Sequence, residues 1–405
     1  MHKAILPLAP YANAPLLILI TAFLMMQPLS TDLYLASLPS LATYFNVPAA
    51  TVQLTLSLFV IGFGGAQLVV GPLSDRFGRR PVLLYGLALY AGASLLCALA
   101  QTINWLIAAR FLQALGCCSA AIIARTIVRD AYAPEDSARV IAKASTWLSL
   151  TPLLGPIMGS YLQVTFGWRA AFVLHATLSV ALIAAVFFRL PETNTCKNSR
   201  ALKLPGLLDT YRHVLGSREF WAYALPGALS YGSIFAFISG ASVVLINVLQ
   251  VPTEWFGYCF AFSVSGYMAG TLLCRHLLHR IGPVLALRLG TGITLAAGTL
   301  FLAVVLAGYA HWAVVVGAMF LTMCAHGINS PLAQSGSVTP FPLQAGTAAG
   351  LAGALYMAVA FVVGTLVGAT YNGTLYPLAI ISVSISVLIF GSVRIMIPKF
   401  SVKAA

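Results

Sequence analysis

Twelve long apolar stretches follow one another along this chain, and they constrain the fold more than any other feature of the sequence. Each has about the 20 residues that a helix needs to cross the hydrocarbon of a bilayer. The chain is 60% apolar and 8% charged, whereas a soluble domain carries roughly 25% charged residues, so its surface must face lipid. The sequence therefore predicts an all-α membrane protein with twelve transmembrane helices. The predicted spans are 14–36, 51–73, 81–101, 104–128, 138–162, 168–190, 221–248, 256–278, 284–307, 312–333, 345–368 and 371–397.

The basic residues indicate how the spans are oriented. Twenty of the 22 lie at the termini, in the even-numbered loops or at the helix ends beside them, whereas the odd-numbered loops hold one, Arg169. Because cytoplasmic loops carry an excess of Lys and Arg, we expect both termini to be cytoplasmic. The net charge of +13 follows from this topology, and we expect no nucleic-acid partner. The twenty are Lys3, Arg76, Arg79, Arg80, Arg125, Arg129, Arg139, Lys143, Arg189, Lys197, Arg200, Lys203, Arg212, Arg218, Arg275, Arg280, Arg288, Arg394, Lys399 and Lys403.

The longest connection follows the sixth predicted span and divides the chain into halves of six spans each. We expect an N-terminal six-helix bundle at 1–190, a cytoplasmic linker at 191–220 and a C-terminal six-helix bundle at 221–405. This division predicts a binding site between the two bundles, near the middle of the membrane.

The two halves also resemble each other in sequence. Residues 46–78 align with residues 250–282 at an offset of 204, with six identities. The pair Gly155-xxx-Gly159 in the fifth span recurs as Gly364-xxx-Gly368 in the eleventh. Two pseudo-symmetric bundles related by such a parallel repeat are typical of the major facilitator architecture.

Two charged residues lie well inside the predicted spans, Asp32 in the first and Arg110 in the fourth. A charge in the hydrocarbon costs a few kcal/mol, so each is a functional hypothesis by default. At 1.5 Å per residue both lie roughly 6–9 Å below the outer boundary, and we expect them to face each other across the central cavity. They form either a static ion pair or a proton-coupling site in which Asp32 is the carrier. Pro28 should bend the helix before Asp32, and Gln113 is spaced to hydrogen-bond Arg110.

Other polar and aromatic residues in the spans leave two interpretations open. His175 and His326 have no titratable partner at a helical spacing, so each is either a hydrogen-bonded packing residue or part of a proton relay. Tyr231, Phe235 and Trp147 form either an aromatic cavity wall or ordinary helix packing.

The sequence contains no motif for enzymatic or metal chemistry at membrane depth. There is no HExxH, GxSxG or paired acid in the spans, and the seven cysteines form no CxxC pair. We therefore expect no enzyme activity, no metal, no disulfide and no cofactor. The tripeptide Ala12-Asn13-Ala14 is similar to a signal-peptide cleavage site, but the long apolar segment follows it, so we expect a first transmembrane helix there. A channel or receptor is a further alternative, although the repeat favours a carrier that alternates its access.

The segment Gly71-Pro-Leu-Ser-Asp75-Arg76-Phe-Gly78-Arg79-Arg80-Pro81 resembles the signature loop of the major facilitator superfamily. Its glycines allow a tight turn. The resemblance implies a charge lock that breaks when the two halves rock, whereas the alternative is that Arg79 and Arg80 only anchor the topology. The conformational lock that it implies consists of Gly71, Asp75, Arg76, Gly78, Arg79 and Asp130.

Three further segments resemble motifs of this superfamily. Arg110-Phe-Leu-Gln113-Ala-Leu-Gly116 resembles the fourth-span motif, whose arginine is tied to proton coupling. The segment Thr151-Pro152-Leu-Leu-Gly155-Pro156-Ile-Met-Gly159 resembles the fifth-span motif of drug antiporters. Ser160 stands where the family often has another glycine. Ser30-Thr31-Asp32-Leu-Tyr34-Leu35 is similar to the first span of the bicyclomycin and chloramphenicol resistance (Bcr/CflA) branch. The helix-bend motif comprises Pro152, Gly155, Pro156 and Gly159.

The resemblance implies a drug:proton antiporter of a bacterial inner membrane. Its substrates would be amphipathic small molecules such as phenicols or bicyclomycin, with protons as the coupling ion and one chain as the working unit. The alternative is a proton-coupled nucleoside or sugar transporter of the same fold, which a strongly polar cavity would favour; the spans contain few Asn or Gln residues. The predicted proton-coupling residues are Asp32, Arg110 and Gln113, and the predicted cavity residues are Thr31, Leu35, Trp147, Tyr231 and Phe235.

Overall fold

The computed structural model describes residues 14–132, 134–148, 150–194, 197 and 204–397, and this part of the chain is almost entirely helical. The N-terminal half contains α1 (Ala14–Asp32), α2 (Leu38–Phe45), α3 (Ala49–Phe77), α4 (Arg79–Ala98), α5 (Ile103–Ala131), α6 (Pro134–Leu148), α7 (Thr151–Phe166) and α8 (Arg169–Arg189). The remaining helices are α9 (Leu204–Leu215), α10 (Arg218–Ser242), α11 (Thr253–Leu306), α12 (Trp312–Val338), α13 (Ala345–Thr370) and α14 (Tyr376–Met396). Predictions on Lys3, Ala12, Asn13, Cys196, Arg200, Lys203, Lys399 and Lys403 lie outside the described residues.

The helices form the twelve predicted spans. Within the described residues, ten helical segments are long and apolar enough to cross a membrane. One of them, α11, has 54 residues and turns at Gly282, where φ is 75°, so it supplies the eighth and ninth spans. The fifth span consists of α6, which ends at Leu148, and α7, which begins at Thr151.

The first span is longer than predicted and is interrupted. After α1 ends at Asp32, the chain makes one short helical turn at Leu35–Ser37 and continues as α2 to Phe45. The helical span therefore extends nine residues beyond the predicted end at residue 36. Pro28 lies inside α1, one turn before the interruption.

The backbone shows the internal repeat directly. Among the described residues, Asn46 and Gln250 are the non-glycine positions with positive φ, at 51° and 54°. Gly78 and Gly282 also have positive φ, at 110° and 75°. Each pair is separated by 204 residues, the offset of the sequence alignment. Corresponding turns therefore begin and end the second and eighth spans in the same backbone conformation.

Small residues bring α3 and α13, which belong to different halves, into close contact. A methyl group on Gly64 would lie 2.5 Å from Cβ of Met357, and one on Gly368 would lie 2.9 Å from Cβ of Gln53. Between these two contacts α3 and α13 run antiparallel in one register. A methyl on Gly364 would lie 2.9 Å from the hydroxyl of Ser57, which is the pairing that this register requires. Such stripes of small residues allow helices to pack closely in a membrane.

We name the two ends of the bundle by its termini. The terminal face holds the start of α1 and the end of α14, and the far face holds the opposite helix ends. At the far face the halves touch a second time, because the Tyr161 and Tyr258 hydroxyls are 2.9 Å apart. A methyl on Gly257 would lie 2.6 Å from Cα of Ile157 in the other half. The far face is therefore closed by contacts on both sides of the interface.

Candidate functional site

The predicted membrane carboxylate lies at the interruption of the first span. Asp32 is the last residue of α1 and is 5% exposed. The Thr31 hydroxyl shares its proton between Asp32 Oδ1, at 3.0 Å, and the carbonyl oxygen of Pro28, at 2.9 Å. Asp32 Oδ2 has no hydrogen-bond partner among the described residues. Discontinuous helices commonly hold the ion site of secondary transporters, because they place polar groups at membrane depth.

The fifth-span glycines pack against this interruption. A methyl group on Gly155 would lie 2.9 Å from Cβ of Asp32, and one on Gly159 would lie 2.5 Å from the carbonyl oxygen of Leu33. Pro152 lies in the first turn of α7, where a proline costs no hydrogen bond, and Pro156 lies inside the helix. Movement of α7 is therefore coupled to the backbone beside Asp32.

The repeat places a related contact in the other half. A methyl on Gly364, the counterpart of Gly155, would lie 2.7 Å from the ring of Phe235 in α10. The fifth and eleventh spans thus contact the first and seventh spans in the same way, with a carboxylate in one half and an aromatic ring in the other.

Arg110 and Asp32 do not face each other, which corrects the prediction from their depths. Arg110 is fully buried, and its Cζ lies 4.3 Å from the ring centroid of Phe59, 4.8 Å from Tyr34 and 5.7 Å from Phe172. These rings stabilise the guanidinium by cation–π interaction. In the described part of the chain, Arg110 takes part in no ion pair. Residue spacing gives the depth of a side chain but not its direction toward a neighbouring span.

The expected hydrogen bond of Arg110 is confirmed, and it belongs to a longer network. Arg110 Nη1 donates to Gln113 Oε1 at 2.5 Å, and Gln113 Nε2 donates to Ser94 Oγ at 2.7 Å. The Ser94 hydroxyl donates to the carbonyl oxygen of Tyr90, and the Tyr90 and Ser30 hydroxyls are 2.6 Å apart. The network therefore joins the buried arginine to α1, two residues before its carboxylate.

The signature loop forms an ion-pair cluster at the terminal face. The guanidinium of Arg79 contacts Asp75 Oδ1 and Ser74 Oγ through Nη1, at 2.5 and 2.7 Å, and Asp130 Oδ2 through Nε, at 2.9 Å. The Arg79 side chain is 5% exposed, so these pairs are shielded from solvent on the arginine side. The cluster joins the second, third and fourth spans.

Two predicted members of the lock have other surroundings. The guanidinium of Arg76 lies 5.3 Å above the ring of Phe77, and in the described residues it forms no ion pair with Asp75, contrary to the sequence prediction. Gly71 has open space where a side chain would lie, and its carbonyl oxygen accepts a hydrogen bond from Ser74. The guanidinium of Arg76 therefore packs on a ring of its own helix.

Glu192 is a member of the cluster that the sequence did not reveal. Its carboxylate accepts hydrogen bonds from the backbone N–H groups of Arg79 and Arg80, at 2.9 and 3.2 Å, at the start of α4. Gly78 is required here, because its φ is 110° and a methyl group would overlap the Glu192 carboxylate. The position of Glu192 after the sixth span gave no signal, since an acid in a loop needs no special partner.

The predicted cavity residues are partly brought together. The rings of Tyr231 and Phe235, in the other half from Asp32, are stacked with centroids 6.3 Å apart. Leu35 is buried in the turn that follows α1. Trp147 is 59% exposed and, among the described residues, has no ring contact with Tyr231 or Phe235, so its place in an aromatic wall stays a prediction.

Two further aromatic side chains surround Tyr231. Tyr356 stacks on it at 6.3 Å, and the ring of His326 lies 6.1 Å away. His326 Nδ1 is 3.0 Å from Ser230 Oγ, and His175 Nε2 is 3.2 Å from the carbonyl oxygen of Leu29. Both histidines are buried and hydrogen-bonded, as the packing interpretation predicts. The contribution of Tyr356 was missed because a lone tyrosine in an apolar span has no diagnostic spacing.

Two six-helix halves, a carboxylate at a helix break between them and a charge cluster at one face define a secondary transporter. The family model of the Major Facilitator Superfamily matches residues 18–365, and the chain belongs to this family. It is therefore a transporter and not an enzyme, and it is a multi-pass membrane protein.

Comparisons with individual proteins agree with this assignment and confirm the resemblance to the Bcr/CflA branch. The chain is 28% identical to the bicyclomycin resistance protein homolog of Haemophilus influenzae, over 87% of this chain and 89% of that one. It is also 28% identical to a chloramphenicol resistance protein of Pseudomonas aeruginosa, over 94% and 90%. The xylose transporter XylE of Escherichia coli, in a partially occluded inward-open conformation, has the same fold, with a TM-score of 0.73, 15% identity and coverage of 96% and 99%.

Proposed function

We propose that this chain is a drug:proton antiporter, which exports amphipathic small molecules such as phenicols or bicyclomycin by alternating access. The observation that carries the proposal is the position of Asp32. Its side chain lies at the break in α1 and packs against Gly155 of α7, where a methyl group would lie 2.9 Å from Cβ of Asp32. A methyl on Gly257 of α11 would lie 2.6 Å from Cα of Ile157 in the same α7, so gain or loss of a proton at Asp32 acts on a helix that contacts both halves.

The remaining site residues support this cycle. Arg110 and Gln113 hold a fixed positive charge and a hydrogen-bond network beside α1, which orients the backbone next to the carboxyl group. Tyr231 and Phe235 supply an apolar, aromatic surface suited to an amphipathic substrate. The coupling ion in this proposal is the proton, and no cofactor is needed.

We further propose that the protein resides in the bacterial inner membrane as a monomer, with the terminal face in the cytoplasm. The excess of basic residues at that face supports this orientation. A single chain supplies both halves of the interface, which supports a monomeric working unit.

The proposal is tested by expressing the wild type and Asp32→Asn at matched membrane levels in a bacterial host that lacks its own major pumps. We expect the wild type to protect against a phenicol, bicyclomycin or a cationic dye, and Asp32→Asn to lose this protection. Asp209→Asn, in the exposed linker helix α9, is the matched control and should protect fully. Full protection by Asp32→Asn would remove Asp32 from the mechanism. A well-expressed wild type that protects against no compound would favour the nucleoside or sugar transporter instead.

A further inference from the structure

A small cavity lies at the far face, where α3 of the N-terminal half meets α10, α13 and α14 of the C-terminal half. Its volume is about 20 Å³, and its lining includes Gln53 of α3, Ser239 of α10 and Gly368 of α13. Because a site of about 10–15 Å³ suffices for one water molecule, the cavity has room for a ligand of that size. None of the described residues that line it is charged, so a neutral ligand fits it better than an ion.

Two polar side chains in this lining come from different halves and lack a partner. Gln53 is 3% exposed and Ser239 is 1% exposed. Neither Gln53 Nε2 nor Ser239 Oγ has a hydrogen-bond partner among the described residues. An unpaired buried donor or acceptor costs the free energy of its desolvation, and ordered water commonly pairs such groups. The two side chains therefore need a polar group inside the cavity.

Two glycines of α13 let these side chains approach each other. A methyl group on Gly368 would lie 2.9 Å from Cβ of Gln53. One on Gly364 would lie 3.1 Å from Ser239 Oγ and 2.9 Å from Ser57 Oγ. Ser57 lies one turn after Gln53 in α3 and is fully buried, and its hydroxyl also has no partner in the described part of the chain. Polar groups of α3 and α10 thus meet where α13 has no side chain.

We infer that the cavity binds one ordered water molecule, which joins Gln53 of the N-terminal half to Ser239 of the C-terminal half. The Gln53 amide donates to the water, and the Ser239 hydroxyl, which can donate and accept, pairs with it in either orientation. Thr374 also lines the cavity, and its hydroxyl donates to Asn372 Oδ1 at 2.6 Å and keeps acceptor capacity for the water. Three such partners are typical of a buried water.

The bound water closes the far face on the side of α3 and α13, as the Tyr161 and Tyr258 hydroxyls do on the side of α7 and α11. A water-mediated hydrogen bond is nearly as favourable as a direct one, and its water costs little to immobilise. When α3 and α13 separate, bulk water pairs with both side chains, so the closure is readily reversed. The inference concerns the closed state itself and applies to any substrate.

A density map of the full-length wild type with its far face closed, at a resolution that shows ordered water, tests the inference directly. We expect a peak within about 3.2 Å of both Gln53 Nε2 and Ser239 Oγ. A map without this peak, or one with a direct hydrogen bond between the two side chains, would overturn the inference.

A double-mutant cycle tests the bridge in the membrane. The readout is the ratio of far-face-open to far-face-closed protein in proteoliposomes, taken from the distance between spin labels at the exposed residues Thr43 and Glu254. The labels are attached through Thr43→Cys and Glu254→Cys, with the seven native cysteines replaced by alanine. We expect Gln53→Leu and Ser239→Ala each to raise this ratio about fivefold, because each takes a partner from the water. The double variant should also raise it only about fivefold, since both changes break the same bridge.

The matched control is Ser233→Ala, which removes a buried, unpartnered hydroxyl from the same helix, roughly 9 Å before Ser239. Its effect should multiply with that of Gln53→Leu, because Ser233 does not line the cavity. If the effects of Ser239→Ala and Gln53→Leu also multiply, to roughly twenty-fivefold, the two side chains share no water and the inference is wrong.

Discussion

At the scale of single residues, the closest contact of the site joins Gly155 to Asp32. A Gly155→Ala methyl would lie 2.9 Å from the Asp32 Cβ, so either α7 or the end of α1 must shift. Overpacking of this kind costs about 1–3 kcal/mol, and we expect at least a tenfold loss of export with normal membrane insertion. Gly92→Ala in α4 is the control, because open space surrounds Gly92 and the substitution favours the helix. Drug accumulation in cells measures both variants, and equal activity would contradict the coupling of α7 to Asp32.

Arg110 gives the second prediction at this scale. Arg110→Ala removes a buried cation that three aromatic rings and Gln113 surround, so the rings lose their partner and the Gln113 amide oxygen loses its hydrogen-bond donor. We expect a loss of proton coupling, seen as a flattened pH dependence of transport in everted vesicles. Arg110→Lys keeps the charge but loses the planar contact with the rings and should be intermediate. An unchanged pH profile in Arg110→Ala would leave Arg110 a purely structural cation.

The sequence predicted which residues carry charge at membrane depth but not their directions. Asp32 and Arg110 stood out because a charge in a span is costly, whatever the fold. The rings around Arg110 come from the first, second and sixth spans, and Phe59 and Phe172 are ordinary apolar residues in their own segments. Only the packing of the spans shows that aromatic rings, and not a carboxylate, stabilise the buried guanidinium of Arg110.

At the scale of helices, the charge cluster of the signature loop holds three spans together at the terminal face. Asp75→Ala removes one of the two carboxylates on Arg79 and leaves Asp130 in place. Because the Asp75 side chain is 44% exposed, its pair with Arg79 contributes about 1 kcal/mol or less. We expect a turnover rate a few-fold lower with unchanged substrate affinity, measured as maximal rate and half-saturation concentration in proteoliposomes. Asp209→Ala serves as the charge control, and a pure loss of affinity in Asp75→Ala would contradict the lock.

The helix boundaries show what periodicity and hydropathy leave out. The ninth and eighth spans were separated correctly, because Gly282 and Pro283 interrupt the apolar pattern where the chain must turn. The extension of the first span to Phe45 was missed, since Pro39 and several polar residues suggested a loop. Helix α9 in the linker was also missed, because its 12 residues are too few and too polar to resemble a span.

At the scale of the whole molecule, the repeat predicted the architecture and the exceptions to it mark the site. Gly78 and Gly282 share a backbone conformation, yet Glu192 fills the space beside Gly78, whereas the space beside Gly282 is open. Gly155 and Gly364 pack on corresponding spans, yet Asp32 lies beside one and Phe235 beside the other. Pseudo-symmetry thus supplies two similar frames, and the charged groups are concentrated in the N-terminal one. The C-terminal half contributes mainly the aromatic surface around Tyr231.

This asymmetry predicts the charge that moves in each transport cycle. Within the described spans, Asp32 is the acid in the hydrocarbon region. The other acids lie within two residues of a span end, except Glu192, three residues after α8, and Asp209, in the linker helix α9. A carrier with one such acid exchanges one proton per cycle, so export of a monocation is electroneutral and export of a neutral compound moves one positive charge inward. In proteoliposomes with a clamped membrane potential, we therefore expect potential-independent flux of a monocationic dye and potential-dependent flux of a neutral phenicol. The phenicol serves as the internal control for the clamp, and a monocation flux that follows the potential would show that more than one proton is exchanged.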